Sequence, residues 1–153
     1  MAMNKERKEM VISIHRHWMW AERLRGQFYS RLGFRNFTSE KIEEIFLSDC
    51  GIYMCLWYGL LNAVVEALEE EQFCVTIVQN EIAEIRDSLR LFRNAVFHVQ
   101  GKYWSEKLIR IMEQQGSAKT ILRVHEAIGS GCSTKFVRTH DNQHTEPTED
   151  QAR

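Results

Sequence analysis

The chain has 153 residues, 20 basic and 21 acidic side chains, a formal net charge of -1, and is 44% hydrophobic and 27% charged. That length supports one domain whose core needs no disulfide or metal staple, and the balanced charge excludes a globally basic nucleic-acid binder while leaving room for a local basic face. A single proline and only 8 glycines suit long helices.

Residues 4–32 read as the first helix, with Val11, Ile14, Trp18, Ala21, Leu24, Phe28 and Leu32 recurring at helical steps. Gly33 is placed as its stop. Thr38 or Ser39 can cap a second helical region, with Glu40 in its first turn. That region opens with "KIEEIF", runs through the apolar stretch at 51–65 with a bend expected at Gly51, and ends in "EALEEEQ". Carboxylates there oppose the helix dipole, so the helix should fray or turn. A third helix is expected from Val75 to His98, with Ile82, Ile85, Leu89, Phe92, Val96 and Val99 as a buried stripe and Gly101 as the break. A fourth, over 103–128, takes Trp104, Leu108, Ile111, Met112, Ile121, Val124 and Ile128 as core candidates, with Gly116 as a weak point. From Gly129 the sequence is polar, aperiodic and rich in turn formers. The division is therefore a helical bundle domain at 1–128 and a disordered C-terminal tail at 129–153. The expected fold is all-α, an antiparallel four- or five-helix bundle.

Cys50, Cys55, Cys74 and Cys132 form no C-x-x-C pair, and the first three fall in apolar periodic segments. They read as reduced, buried thiols. "MAMNKERKEM" has no apolar core of a secretory signal, and the apolar run at 51–65 is short for a bilayer. The expectation is a cytoplasmic protein with no membrane partner. No P-loop, no G-x-G-x-x-G, no H-E-x-x-H and no zinc-type Cys/His spacing occurs, so no cofactor and no metal are expected. His15 and His17 diverge on a helix and cannot share a metal, while His140 and His144 read as incidental tail residues. His125 reads as a dipole partner near a helix C-terminus or a core-edge residue, and Glu69–Glu71 as a solvated helix end.

The third helix carries the informative pattern. At about 100° per residue, Arg86, Arg90, Arg93 and Phe97 form one row away from the apolar stripe. Asp87, Leu91, Asn94 and His98 form a second row beside it. His98 is therefore nearly opposite the core stripe. Phe97 and Leu91 lie among polar groups and would be poorly covered in a monomer. A second copy on this side would cover them and bring two Arg/His sets together across a twofold axis. A histidine can move protons at neutral pH, and an arginine can hold two phosphate oxygens and stabilise charge on them. The two suffice for RNA cleavage without metal, by attack of a 2′-hydroxyl on the neighbouring phosphate. Asn94 would orient His98 or donate to a phosphate oxygen. Read blandly, Arg93, Asn94 and His98 link the third and fourth helices, for example through Glu106. Arg86 and Arg90 are either part of an RNA-backbone track or a solvated face paired with acids.

With its late place on a long helix and the glycine break after it, "RNAVFH" at 93–98 resembles the signature of the HEPN superfamily, the higher eukaryotes and prokaryotes nucleotide-binding domains. That signature is R-x4-6-H, commonly with a polar residue after the arginine. Arg93, Asn94 and His98 match its three places; the resemblance covers roughly residues 4–128, and its specific part is these six residues. It implies a four- or five-helix bundle that forms a homodimer through the motif helix. It also implies metal-independent endoribonuclease activity on RNA, often in toxin–antitoxin, abortive-infection and other defence systems, with an antitoxin protein as partner. Arg93 and His98 would be catalytic and Asn94 supporting. Members paired with nucleotidyltransferase antitoxins often carry a tyrosine two places after the histidine. Gln100 stands there, with Tyr103 out of pattern, which counts against that particular partnership. Some members keep the fold without cutting RNA, so the alternative is a non-catalytic helical module that binds nucleotide, RNA or protein.

Overall fold

A computed structural model describes residues 4–33, 42–72, 79–97 and 117–141. All of the regular structure among them is helical: α1 (Lys5–Leu32), α2 (Ile42–Leu47), α3 (Asp49–Glu70), α4 (Gln79–Phe97) and α5 (Ser117–Asp141).

α1 begins where Asn4, in extended backbone, accepts the amide of Arg7 on its side-chain oxygen at 2.8 Å, satisfying one of the amides a helix start leaves open. It ends at Gly33, whose φ of -64° is right-handed and whose N–H reaches the Tyr29 carbonyl at 3.0 Å. The stop falls where expected without a left-handed turn. The second helical region breaks at Ser48 and not at Gly51, which is buried inside α3. Both the N–H and the hydroxyl of Ser48 turn back to the Ile45 carbonyl, at 3.2 and 2.7 Å, while its own carbonyl accepts the Ile52 amide at 3.3 Å. One residue thus closes α2 and opens α3. The acidic end of α3 turns as its dipole predicts. Glu71 and Gln72 donate to Ala67 and Glu69, and Gln72 takes a positive φ of 54°.

The core gathers Ile14 and Ala21 of α1, Met54, Trp57, Tyr58, Leu61, Val64 and Val65 of α3, Ile82, Ile85, Leu89 and Phe92 of α4, and Ile121, Val124 and Ile128 of α5. Each large side chain in this set contributes about 1.5–3 kcal/mol by leaving water. By length and composition α3 could cross a bilayer, which the run at 51–65 alone is too short to do. Half of its most apolar window is buried inside the bundle. Glu69 meets Arg86, Glu66 meets Arg93, and Gly59 lies under Phe97. Sequence falls on α3 as it rises on α4, so the two run antiparallel. Phe28 against both Cys50 and Trp57 sets α1 against α3.

The fourth long helix, expected to end at 128, runs further as α5. The helix passes through Gly129, which is buried, and runs on to Asp141. A side chain at Gly129 would collide with the Trp18 indole, so this glycine lets α5 pack directly on α1. Trp104, Leu108, Ile111, Met112, Val99 and Gly101 lie outside the described residues.

Candidate functional site

Arg93 and Asn94 lie near the end of α4, Arg93 at the edge of the buried stripe, about 40° from Leu89, and Asn94 further towards solvent. The Arg93 guanidinium reaches across to α3. Its Nη1 donates to both carboxylate oxygens of Glu66, at 3.0 and 2.9 Å, and its Nε and Nη2 donate to the Asn94 side-chain oxygen at 3.3 and 3.2 Å. Arg93 and Glu66 are each more than a third exposed, at 36% and 39%. The guanidinium is therefore held in one orientation while Nη2 keeps a hydrogen for an anion arriving from solvent. Phe97, one turn on, is 57% exposed, with its ring edge against Gly59. Leu91 is partly buried, packed against the core, so of the two side chains expected to be poorly covered Phe97 is the more exposed. His98, the third member of the sequence motif, lies outside the described residues, as do Gln100, Tyr103 and Glu106.

The arginine row is thoroughly paired. Arg86 bonds Glu69 of α3, Arg90 bonds Asp87 at 3.3 Å, and Arg93 bonds Glu66. For Arg86 and Arg90 this is the arrangement of a solvated, acid-paired face. A cleft of about 580 Å³ lined by Glu69, Gln72, Gln79, Ile82 and Arg86 opens beside this row at the far end of α4; neither Arg93 nor Asn94 lines it.

A second polar cluster escaped the sequence reading. His125 of α5, with its side chain 1% exposed, joins three helices. Trp57 of α3 donates its indole N–H to His125 Nδ1 at 3.1 Å, and Nε2 of the same ring lies 2.7 Å from Glu22 Oε2 of α1. An indole nitrogen can only donate. Nδ1 is therefore the acceptor and the proton sits on Nε2, which donates to Glu22. Arg25 closes the cluster with Nε and Nη2 on the two Glu22 oxygens at 2.8 and 2.7 Å, and Trp18 donates to the His125 carbonyl at 3.1 Å. The bonds from Arg25, then that from His125, hold the Glu22 carboxyl below its usual range against the opposing effect of burial. Burial pushes the His125 imidazole down, outweighing the Glu22 carboxylate that pulls it up. With both ring nitrogens engaged, His125 clamps α1, α3 and α5 together. A cleft of about 490 Å³ lies over it, bordered by Trp18, Arg25 and Glu126. The signal for this residue was its register: position 125 falls between Ile121 and Ile128 on the buried stripe of α5.

Cys50 and Cys55 carry free thiols, and Cys50 is buried; Cys74 and the side chain of Cys132 lie outside the described residues. Among the described residues no group of three or more His, Cys, Asp or Glu side chains could hold a metal. No family model, no curated protein and no solved structure matches the chain.

Proposed function

We propose that the chain is a metal-independent endoribonuclease of the HEPN type. It acts in the cytoplasm as a homodimer joined through the helix that carries Arg93 and His98, as a toxin of a toxin–antitoxin or other defence system restrained by a protein partner. The observation that carries this reading is the pairing of Arg93 with Asn94 near the end of α4, with the exposed Phe97 one turn on. An oriented guanidinium beside an exposed aromatic suits a surface that receives both a phosphate and a second copy of the chain.

In this mechanism Arg93 holds the scissile phosphate and offsets the charge that grows on its oxygens. His98 of one copy takes the proton of the 2′-hydroxyl as its oxygen bonds to phosphorus. His98 of the other copy gives a proton to the departing 5′-oxygen. The products are a 2′,3′-cyclic phosphate and a 5′-hydroxyl, so atoms and charge balance without an added reagent. Asn94 orients Arg93 through its side-chain oxygen. The test is cleavage of single-stranded RNA by the purified chain in EDTA. Wild type should cut; His98→Ala and Arg93→Ala should each lose cutting while keeping the helical circular-dichroism spectrum. Cleavage that survives both substitutions would remove the assignment.

A second reading rests on Glu66. Its two bonds to Arg93 are those of an ordinary link between neighbouring helices, and they favour a non-catalytic module in which Arg93 and Asn94 are structural. On that reading RNA is never cut, and Arg93→Ala lowers stability with no change in an activity.

A further inference from the structure

The face of α1 turned away from the bundle mixes exposed apolar side chains with cations. At about 100° per residue, Ile12, Arg16, Met19 and Arg23 fall within roughly 60° of one another, opposite the buried Ile14 and Ala21, with Lys8 and Trp20 flanking them. Ile12, Met19 and Trp20 are 56%, 44% and 47% exposed. Arg16 lies over the Trp20 ring, 5.3 Å from its centroid, and His17 leans on the same ring at 5.2 Å. Lys5 is balanced by Glu9. Lys8, Arg16 and Arg23 have no acidic partner among the described residues, in a chain whose net charge is -1.

We infer that this face of α1 docks on an anionic lipid surface. Charge selects the occupant first. A second copy pairing antiparallel through the middle of this face would set Arg16 of each chain near Arg23 of the other, so an isologous contact there brings like charges together. A single strand of nucleic acid uses successive aromatic rings as stacking platforms. Here one ring is present, it already carries Arg16, and Ile12 and Met19 offer no stacking face. A protein interface separates an apolar centre from a polar rim, whereas on α1 cations and apolar groups alternate along one midline. Unpaired cations beside the exposed Ile12, Met19 and Trp20 suit an anionic bilayer surface, where long basic side chains reach the headgroup phosphates while apolar side chains enter the acyl boundary. The inference departs from the expectation of no membrane partner, which rested on the length of an apolar run and not on surface charge.

The test uses the full chain and sedimentation with vesicles of phosphatidylcholine alone or with phosphatidylserine as about one lipid in three. The chain should bind the anionic vesicles at least about tenfold better than the neutral ones, and high salt should release it. Arg16→Glu with Arg23→Glu should remove that preference. Ile12→Ser with Met19→Ser and Trp20→Ser should weaken binding severalfold at unchanged charge. All these positions are at the surface, and circular dichroism checks that each variant folds. Equal or absent binding to the two vesicle types would overturn the inference, as would anionic binding unaffected by the charge reversal. Tighter binding of a single-stranded oligoribonucleotide through Arg16, Trp20 and Arg23 than of any vesicle would overturn it in favour of nucleic acid.

Discussion

The indole of Trp57 donates to Nδ1 of His125 at 3.1 Å, and this bond fixes which imidazole nitrogen carries the proton. Protonation of Nδ1 would set two N–H groups head to head, so the clamp between α1, α3 and α5 exists only with a neutral ring. Trp57→Phe keeps most of the packing and removes the donor. The variant should lose about 1–3 kcal/mol, the cost of leaving a buried acceptor unpaired, measured by denaturant unfolding. The His125 titration followed by NMR should move upward relative to wild type.

Stability should fall on the acid side in a defined window. Burial holds folded His125 below its ordinary 6.5, so as pH drops through that value the unfolded chain binds a proton that the folded chain refuses. The contribution of the neutral clamp is complete above 6.5 and is lost progressively down to the lowered folded value. Glu22 adds a second phase. Its carboxyl is held below 4.5 by Arg25 and His125, so its contribution is full above 4.5 and disappears as pH falls through the depressed value. Urea midpoints measured across this range should show the first decline beginning near pH 6.5, and His125→Gln should abolish that first decline.

Two glycines should respond differently to alanine. A methyl at Gly129 meets the Trp18 indole, which is tied to the His125 carbonyl and can yield only by giving up that bond. Gly129→Ala should cost about 1–3 kcal/mol. A methyl at Gly59 meets the edge of Phe97, at 2.7 Å from Cε2, but that ring is largely in solvent and can swing away. With the helical gain of alanine over glycine, Gly59→Ala should stay within about 1 kcal/mol of wild type. Thermal unfolding of the two variants side by side checks the contrast.

The amide nitrogen of Asn62 is buried with no hydrogen-bond partner among the described residues. Asn62→Val is nearer in size than a longer aliphatic chain and removes that unpaired donor, so it should raise stability by about 1 kcal/mol. A lowered urea midpoint for this variant would contradict the assignment of Nδ2 as unsatisfied.

Burial pushes the Cys55 thiol up to about 11, far above neutral pH, so little thiolate forms. Iodoacetamide at pH 7.5 should leave Cys55 unmodified in the folded chain over the time that alkylates a free thiol completely, and urea should expose it.

Helical period alone located the core-facing sides of α1, α4 and α5: Ile14, Ala21, Ile82, Ile85, Leu89, Phe92, Ile121, Val124 and Ile128 are all buried as read. What period cannot carry is the long-range partner. Glu66 stands 27 residues before Arg93, and nothing local announces that the two helices bring them together. The break at Ser48 went unread because a glycine three places on looked like the weaker point, yet Gly51 is inside α3. The end of α5 went unread for a related reason: Gly129 suggests a stop, and only the Trp18 ring against it explains why a glycine continues the helix. His125 lay in the core register, but its polar type hid the fact that indole and carboxylate partners waited for it.

The double role of Ser48 bears on how this chain tolerates length changes. An extra residue within α3 would rotate everything after it by about 100° and swing Glu66 away from Arg93. An extra residue on the α2 side is absorbed at the serine, which restarts the helical phase. Natural insertions are therefore expected to be accepted within α2, just before residue 48, and rejected between 49 and 66.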